Sequence, residues 1–229
     1  ESKTRHLRRF LGNEDVDPKR FYSPVRDRLI DLAVQGTKTQ GTGPVRILVD
    51  TLELSGKRQV LMAGIAYRRR ALPICWETHR REGVTDAGQQ ISLLRSLAGR
   101  FPDDTEVVIV GDGAFHSTDL MEFIEDQGWH FCLRLHTDTY VRVSGKSPWR
   151  QLRELVPEEG ERRYLKKVLV TKDNEYGPVN LALCHAEGED DPWLICTDRE
   201  AGYATLRTYS RRMWIEQLFA DLEDGGFHL

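Results

Sequence analysis

From residue 45 onward the chain alternates between short apolar, β-rich runs and brief links, and this constrains its fold more than any other feature. VRILVD, RQVLMAGIAY and ALPICWETH are three successive strand-like runs, the last two joined by a basic turn at Arg68, Arg69 and Arg70. Runs so closely linked predict an antiparallel meander. VTDAGQQISLLRSLAGR follows, with Asp86 placed to cap and Ile91, Leu94 and Leu97 on one face, and predicts a helix. TEVVIVGDGAFHSTDLMEFIEDQGWHFCLRL then reads as a buried strand over 106–110, a turn holding Asp112, a helix over 117–127 and a strand over 129–135. Residues 137–191 lose this order. Their β-like runs LKKVLVTK and VNLALCHA are broken by Pro157, Gly160, Gly177, Pro178 and an acidic loop, as in a β-rich insertion. PWLICTD restores a strand, and AGYATLRTYSRRMWIEQLFADLE predicts one last helix.

Three strands, then helix, strand, helix and strand, predict an α/β fold: a ribonuclease H-like mixed sheet with flanking helices and a β-rich insertion before the last helix. The expected organisation is an N-terminal helical segment and linker over 1–44, and a domain over 45–229 interrupted by the insertion at 137–191. Within the first part, SKTRHLRRFL reads as a short basic helix. DPKRFYSPVRDRLIDLAVQ reads as a second helix, begun by Asp-Pro and carrying Phe21, Val25, Leu29 and Leu32 at helical spacing, with Pro24 delaying or kinking its start. GTKTQGTGP reads as a flexible connector.

Bulk properties exclude several classes. A chain of 229 residues with 39% hydrophobic and 30% charged content can bury a core and is not disordered. No apolar run approaches the roughly 20 residues that cross a bilayer. The N-terminus has charge but no apolar h-region, which excludes a secretory signal, and without a starting Met the chain reads as a processed, fragmentary or partial product. Cys75, Cys132, Cys184 and Cys196 form no CxxC pair and read as reduced, buried thiols of a cytoplasmic protein. A zinc site from His130, Cys132 and His136 would match no common spacing. A net charge of −3 argues against a generic nucleic-acid binder, but residues 1–46 carry ten Lys/Arg against six Asp/Glu, and Arg68–Arg70 with Arg80 and Arg81 form a second basic cluster. A phosphate-binding face beside an acidic site is therefore available.

Asp50 closes the first apolar run and Asp112 follows the fourth, so both carboxylates are expected at a sheet rim. On the last helix Tyr209, Arg212, Glu216 and Glu223 are spaced by three, four and seven residues, which at about 100° per residue places them on one stripe. Ile215, Leu218, Phe219 and Leu222 make the adjoining apolar face. Two or three carboxylates converging from rigid elements suffice for Mg²⁺, which keeps several of its waters, and two such ions about 4 Å apart stabilise both oxygens of an in-line phosphodiester displacement. Taken singly, Asp50 and Asp112 also read as turn or capping residues, and Arg212–Glu216 as a solvated i,i+4 pair. His116 reads as a polar residue at a helix start.

YSRRMWIEQLFADLEDGGF resembles the last catalytic helix of bacterial insertion-sequence transposases of the Asp-Asp-Glu type, whose signature is Tyr-x2-Arg-x3-Glu-x6-Lys. Tyr209, Arg212 and Glu216 match it, and the resemblance extends through VRILVDTLEL, VVIVGDGAFHS, HFCLRL and WLICTD. It implies a ribonuclease H-like core and cut-and-paste transposition: cleavage at transposon ends in double-stranded DNA, followed by attack of the freed 3′-hydroxyl on the other strand or on target DNA. Asp50, Asp112 and Glu216 would be the catalytic residues and ligate two Mg²⁺ ions, with Mn²⁺ able to substitute. Tyr209 and Arg212 would grip phosphate, joined in DNA binding by Arg68, Arg69 and Arg70. In some relatives a Trp of the insertion holds a flipped base, a role that would fall to Trp149. The resemblance further implies a homodimer on DNA and a bacterial, nucleoid-associated location with no membrane contact. One position departs from the signature: its Lys is Glu223 here, which reverses the attraction for phosphate. Two other readings stay open, a ribonuclease H-like nuclease that cuts without joining and an idle or truncated remnant that binds DNA or a partner.

Overall fold

The computed structural model describes residues 5, 9, 12, 13, 15–41, 43–54, 57–80, 83 and 85–223. The basic N-terminal helix expected from SKTRHLRRFL falls largely outside them, as does Arg81.

Helix α1 spans Pro18–Gln40, with Asp17 as N-cap accepting from the Lys19 amide at 2.9 Å. Pro18 stands at N1, where its missing N–H costs nothing, and Pro24 is accommodated early in the helix. The connector expected over 36–44 is largely helical instead. Thr37 and Thr39 return their hydroxyls to the carbonyls of Val34 and Gln35, and the helix stops only at Gly41, whose φ of 59° is left-handed.

Strands β1 (Val45–Leu54), β2 (Arg58–Tyr67) and β3 (Arg70–Arg80) form the meander. Helix α2 (Ala87–Arg95) follows, with Asp86 and Gln89 in a capping box. Strand β4 (Val107–Gly111), helix α3 (Thr118–Asp126, capped by Ser117) and strand β5 (His130–Arg134) make a βαβ unit. Then come β6 (Tyr140–Arg142), β7 (Arg150–Gln151), β8 (Arg162–Val170), β9 (Tyr176–Cys184) and β10 (Trp193–Thr197). The expected final helix is two: α4 (Tyr203–Tyr209) and α5 (Met213–Leu222), separated by a 3₁₀ turn over Ser210–Arg212.

All ten strands share one sheet, in the order β3-β2-β1-β4-β5-β10-β9-β8-β6-β7. The first three are antiparallel, β1, β4 and β5 are mutually parallel, and β10 runs antiparallel to β5. The strand order 3-2-1-4-5 with β2 reversed is that of a ribonuclease H-like sheet. The strands from residues 137–191 extend this same sheet beyond β10.

Alternation along β1 sorts the two cores. Val45, Ile47 and Val49 face α1, α2 and α3 through Ile30, Leu93 and Leu120. Leu48 and Leu52 face α4 and α5 through Leu206, Tyr209, Ile215 and Phe219. Because the pleat has period two, Arg46 and Asp50 belong to this second face. Helices on both faces explain why β4 reads VVIVG with every residue buried.

All four cysteines are free thiols; Cys132 and Cys196 are buried, and burial pushes the Cys75 thiol up to about 11. His130 contacts Asp198, and among the described residues no cluster of His, Cys, Asp or Glu is arranged to hold zinc. Nor is any described helix long and apolar enough to cross a membrane.

Candidate active site

The parallel register of β1 and β4 pairs Val49 with Gly111, so Asp50 and Asp112 are the next residues on adjacent strands. Asp50 was expected to end its strand. It lies within β1 instead, which runs on to Leu54 against β2, opposite Met62. It reaches a rim because its other neighbour, β4, stops at Gly111.

Asp112 caps a 3₁₀ turn over Gly113–Phe115, its carboxylate accepting from the Ala114 amide at 2.9 Å. Gly111 makes this turn possible by its size: a Cβ there would stand 2.9 Å from Phe115 Cβ and 3.0 Å from Val49 Cγ2. Gly111→Ala is therefore expected to destabilise the chain by about 1–3 kcal/mol through overpacking. The check is urea unfolding, where a midpoint equal to wild type would show that the turn has slack.

Asp50 is enclosed, with its side chain 14% exposed, and its carboxylate accepts from the Thr51 amide at 2.8 Å. Burial, then the charge of Asp112, lifts its pKa from 3.8 to about 6, against the lowering effects of Thr51 and Arg212. Arg212 joins two of the three carboxylates: its Nη1 stands 3.4 Å from Asp50 Oδ2 and 2.7 Å from Glu216 Oε1. Burial works to lower the Arg212 pKa, but Tyr209, Glu216, Asp50 and Asp112 together raise it, so the guanidinium stays charged. The 3₁₀ turn breaks the regular helical stripe expected from Tyr209 to Glu223, yet it leaves Arg212 and Glu216 in contact.

Glu216 is half exposed and held by Arg212, and among the described residues no three acidic, His or Cys side chains stand close enough to hold an ion as placed. The donor chemistry nevertheless suits Mg²⁺. Two hard carboxylates stand in successive register on neighbouring segments, and the charge of Asp112, which after burial raises Asp50, is one that a divalent cation would offset. Drawing Glu216 in as a third ligand requires its contact with Arg212 to give way.

The remaining candidates are dispersed. Tyr209 is buried, 5.0 Å from the Trp193 ring and beneath the Arg212 guanidinium. It lines a cavity with Trp193, Ser210, Arg212, Met213 and Glu216. Trp149 precedes β7, seven strand intervals from β1 along the sheet, and carries the Arg142 guanidinium 4.7 Å from its ring centroid. Arg68 and Arg69 form the β2–β3 turn with φ of 45° and 66°, and Arg70 lies 3.9 Å from Asp221. Since Ile65 pairs with Ile47, that turn is at the end of β1 away from Asp50. Glu223 is exposed just past α5.

His136, weighed in the sequence only as a zinc ligand, lies at the candidate site instead. Its ring packs edge-on to His116 at 4.5 Å and against Gly113, beside the Asp112 turn. His116 ends that turn rather than starting a helix, and its pKa is lowered by burial and by His136, partly offset by its contact with the Gly113 carbonyl. A lone His after a strand gives no periodic signal that would single it out. Arg46 and Arg211 were overlooked, although the Arg-Arg pair at 211–212 was visible.

Residues 55–229 match the family model of the transposase DDE domain. The matched span includes Asp112, Arg212 and Glu216 and begins just after Asp50. Comparison with curated proteins gives no match. Among solved structures, the Mos1 transposase catalytic domain with Raltegravir and Mn is 15% identical, with 46% of this chain and 57% of that one aligned at a TM-score of 0.28. The catalytic domain of Mos1 mariner transposase is 14% identical over the same shares, also at 0.28. The chain thus spans a little over half the length, 57%, of these structures. The family match takes in well over half of the chain, and the chain belongs to the transposase DDE domain family.

Proposed function

We propose that the chain is the catalytic core of a cut-and-paste DNA transposase, with Asp50, Asp112 and Glu216 as its three catalytic carboxylates. The observation that carries this reading is the placement of Asp50 within β1 beside Asp112, the residue that directly follows parallel β4, with Arg212 linking Asp50 to Glu216 from a distant part of the sequence. Asp50 and Asp112, with Glu216 once released by Arg212, would hold Mg²⁺ or Mn²⁺. When bound, two such ions neutralise charge on the attacking and leaving oxygens of a phosphodiester.

The protein's own contribution is positional. Asp50 and Asp112 are held by the Thr51 and Ala114 amides on a rigid sheet, so their oxygens need little reorganisation. Arg212, freed from Glu216, offers its guanidinium to a DNA phosphate near the reacting atoms. The substrates on this reading are double-stranded transposon ends and target DNA, bound by a pair of chains acting on paired ends. The test is strand transfer with pre-cleaved ends in Mg²⁺ or Mn²⁺: joined product supports the reading, and cleavage without joining assigns a nuclease instead.

One observation favours a different reading. Glu216 is held by Arg212 at 2.7 Å and, among the described residues, belongs to no cluster of three groups able to hold an ion, as an idle DNA-binding remnant would allow. Such a remnant shows no metal-dependent cleavage at any Mn²⁺ concentration.

Glu223 tests the DNA reading separately. Its exposed carboxylate stands where the family's signature carries Lys, so Glu223→Lys is expected to tighten transposon-end binding and steepen its salt dependence. Titration of labelled end DNA at two salt concentrations checks this; unchanged affinity would show that the carboxylate does not face the duplex.

A further inference from the structure

The 3₁₀ turn over Ser210–Arg212 lies across β1, and it sends successive arginines to different places. Arg212 reaches Asp50, whereas Arg211 lines a concavity with Arg46, Arg68, Tyr67 and Trp214. Arg46 and Asp50 share a face of β1 four residues apart, about 13 Å at the usual strand rise. Arg68 comes to the same concavity because β2 runs antiparallel to β1 and turns beside its first residues.

This concavity has about 220 Å³ of space, and its described lining holds three arginines and no carboxylate. Arg199 approaches Arg46 from the other side, in a neighbouring cavity that Arg46 also lines. Of the acids nearby, Glu106 is bound by Arg199 at 2.7 Å. Burial, followed by repulsion from Arg211 and Arg199, lowers the Arg46 pKa to about 10. Arg211 is lowered too, by burial and by Arg207. Glu106 also acts on Arg46, in the raising direction, and the Arg68 and Arg211 guanidinium groups stand over the Tyr67 and Trp214 rings. The rim is open: Tyr67 is 43% exposed, and Arg68 and Arg69 occupy left-handed positions that Asn or Gly would adopt at less cost.

We propose that this arginine-lined concavity, at the end of β1 opposite the carboxylates, binds a backbone phosphate of DNA. The proposal rests on the DNA reading above and adds a second anchoring point on the face that carries Asp50. Guanidinium-bearing residues from β1, from the β2–β3 turn and from the α4–α5 turn line this one concavity, and each planar group can donate to phosphate oxygens.

The test follows binding of a fluorescently labelled duplex to the full chain by anisotropy, in EDTA, over a series of salt concentrations. Arg211→Gln and, separately, Arg68→Gln are each expected to lower the slope of log affinity against log salt by about 0.9, the loss of one phosphate contact. Arg68 is exposed on a turn, so its variant reports even if Arg211→Gln fails to fold. Slopes equal to wild type overturn the proposal. A second arm adds inorganic phosphate at ionic strength matched with chloride. If phosphate raises the melting temperature of wild type but not of Arg211→Gln, while the DNA slopes stay unchanged, the site takes a small free anion and the DNA proposal fails. Because binding is read without metal, the outcome separates from the catalytic reading. Reduced slopes with no metal-dependent cleavage by wild type would retain the phosphate site and sink the catalytic assignment; unchanged slopes with cleavage would do the reverse.

Discussion

Asp112→Asn is expected to abolish metal-dependent DNA cleavage while leaving the fold intact. Asparagine keeps the side-chain oxygen that accepts from the Ala114 amide, so the cap and the 3₁₀ turn survive. It removes the charge that makes the rim attractive to a divalent cation. Charge stabilisation by such ions is worth several kcal/mol at the transition state, and at about 1.36 kcal/mol per decade the expected loss is on the order of a thousandfold. A plasmid-nicking assay in Mg²⁺ and in Mn²⁺ measures it, with circular dichroism as the fold control. Undiminished cleavage would remove Asp112 from the site.

Asp50→Asn is expected to stabilise the metal-free chain at neutral pH while also destroying activity. The carboxyl of Asp50 titrates at about 6 in the fold against 3.8 ordinarily, because burial and Asp112 both oppose its charge. Between those values the folded state binds more protons than the unfolded one. Stability is therefore greatest below about pH 4 with respect to this group, and is lost as pH rises through about 6. The ionised carboxylate then costs the fold on the order of 2–3 kcal/mol. Asn removes this dependence, so the variant should melt higher than wild type above pH 6 and no differently near pH 4. Mg²⁺ should raise the melting temperature of wild type and leave Asp50→Asn nearly unmoved, since a bound cation offsets the same repulsion. Thermal melts at three pH values, with and without Mg²⁺, decide it. A wild type more stable at pH 7.5 than at pH 5, with Asp50→Asn following it in parallel, would show that Asp50 is not the strained group.

On the proposed reading, carboxylates gathered for a cation are destabilising without it. Arg212 is the compensation visible in the structure. By contacting Asp50 and Glu216 it offsets part of their charge, and on the proposed reading Glu216 would leave that contact to reach an ion. Metal binding and phosphate binding by Arg212 would then be coupled, each favouring release of Glu216.

Much of the architecture was legible in local pattern. The β-rich apolar runs of β1 and β2, the capping Asp86 and the wholly apolar β4 are short-range signals, because capping and strand propensity act over a few residues. The position of Asp112 after β4 followed from the same reasoning. Two helix limits were misread for physical reasons equally local in scale. The connector expected over 36–44 continues the helix to Gln40, where threonine hydroxyls bond to the preceding turn, and the 3₁₀ turn over Ser210–Arg212 arises in a stretch that reads as helical throughout.

By itself the sequence offered candidates: three carboxylates at defined places in the element order, and Arg212 four residues before Glu216. Only the tertiary structure decided which of them meet. The register of β1 against β4 depends on packing between residues some sixty positions apart, and it set Asp50 beside Asp112 while leaving Trp149 at the far edge of the sheet. Nothing local marks Arg46, Arg68 and Arg211 as neighbours. They meet because β2 folds back along β1 and the α4–α5 turn crosses over it, and such long-range placement is written in the packing of two cores rather than in any one stretch of chain.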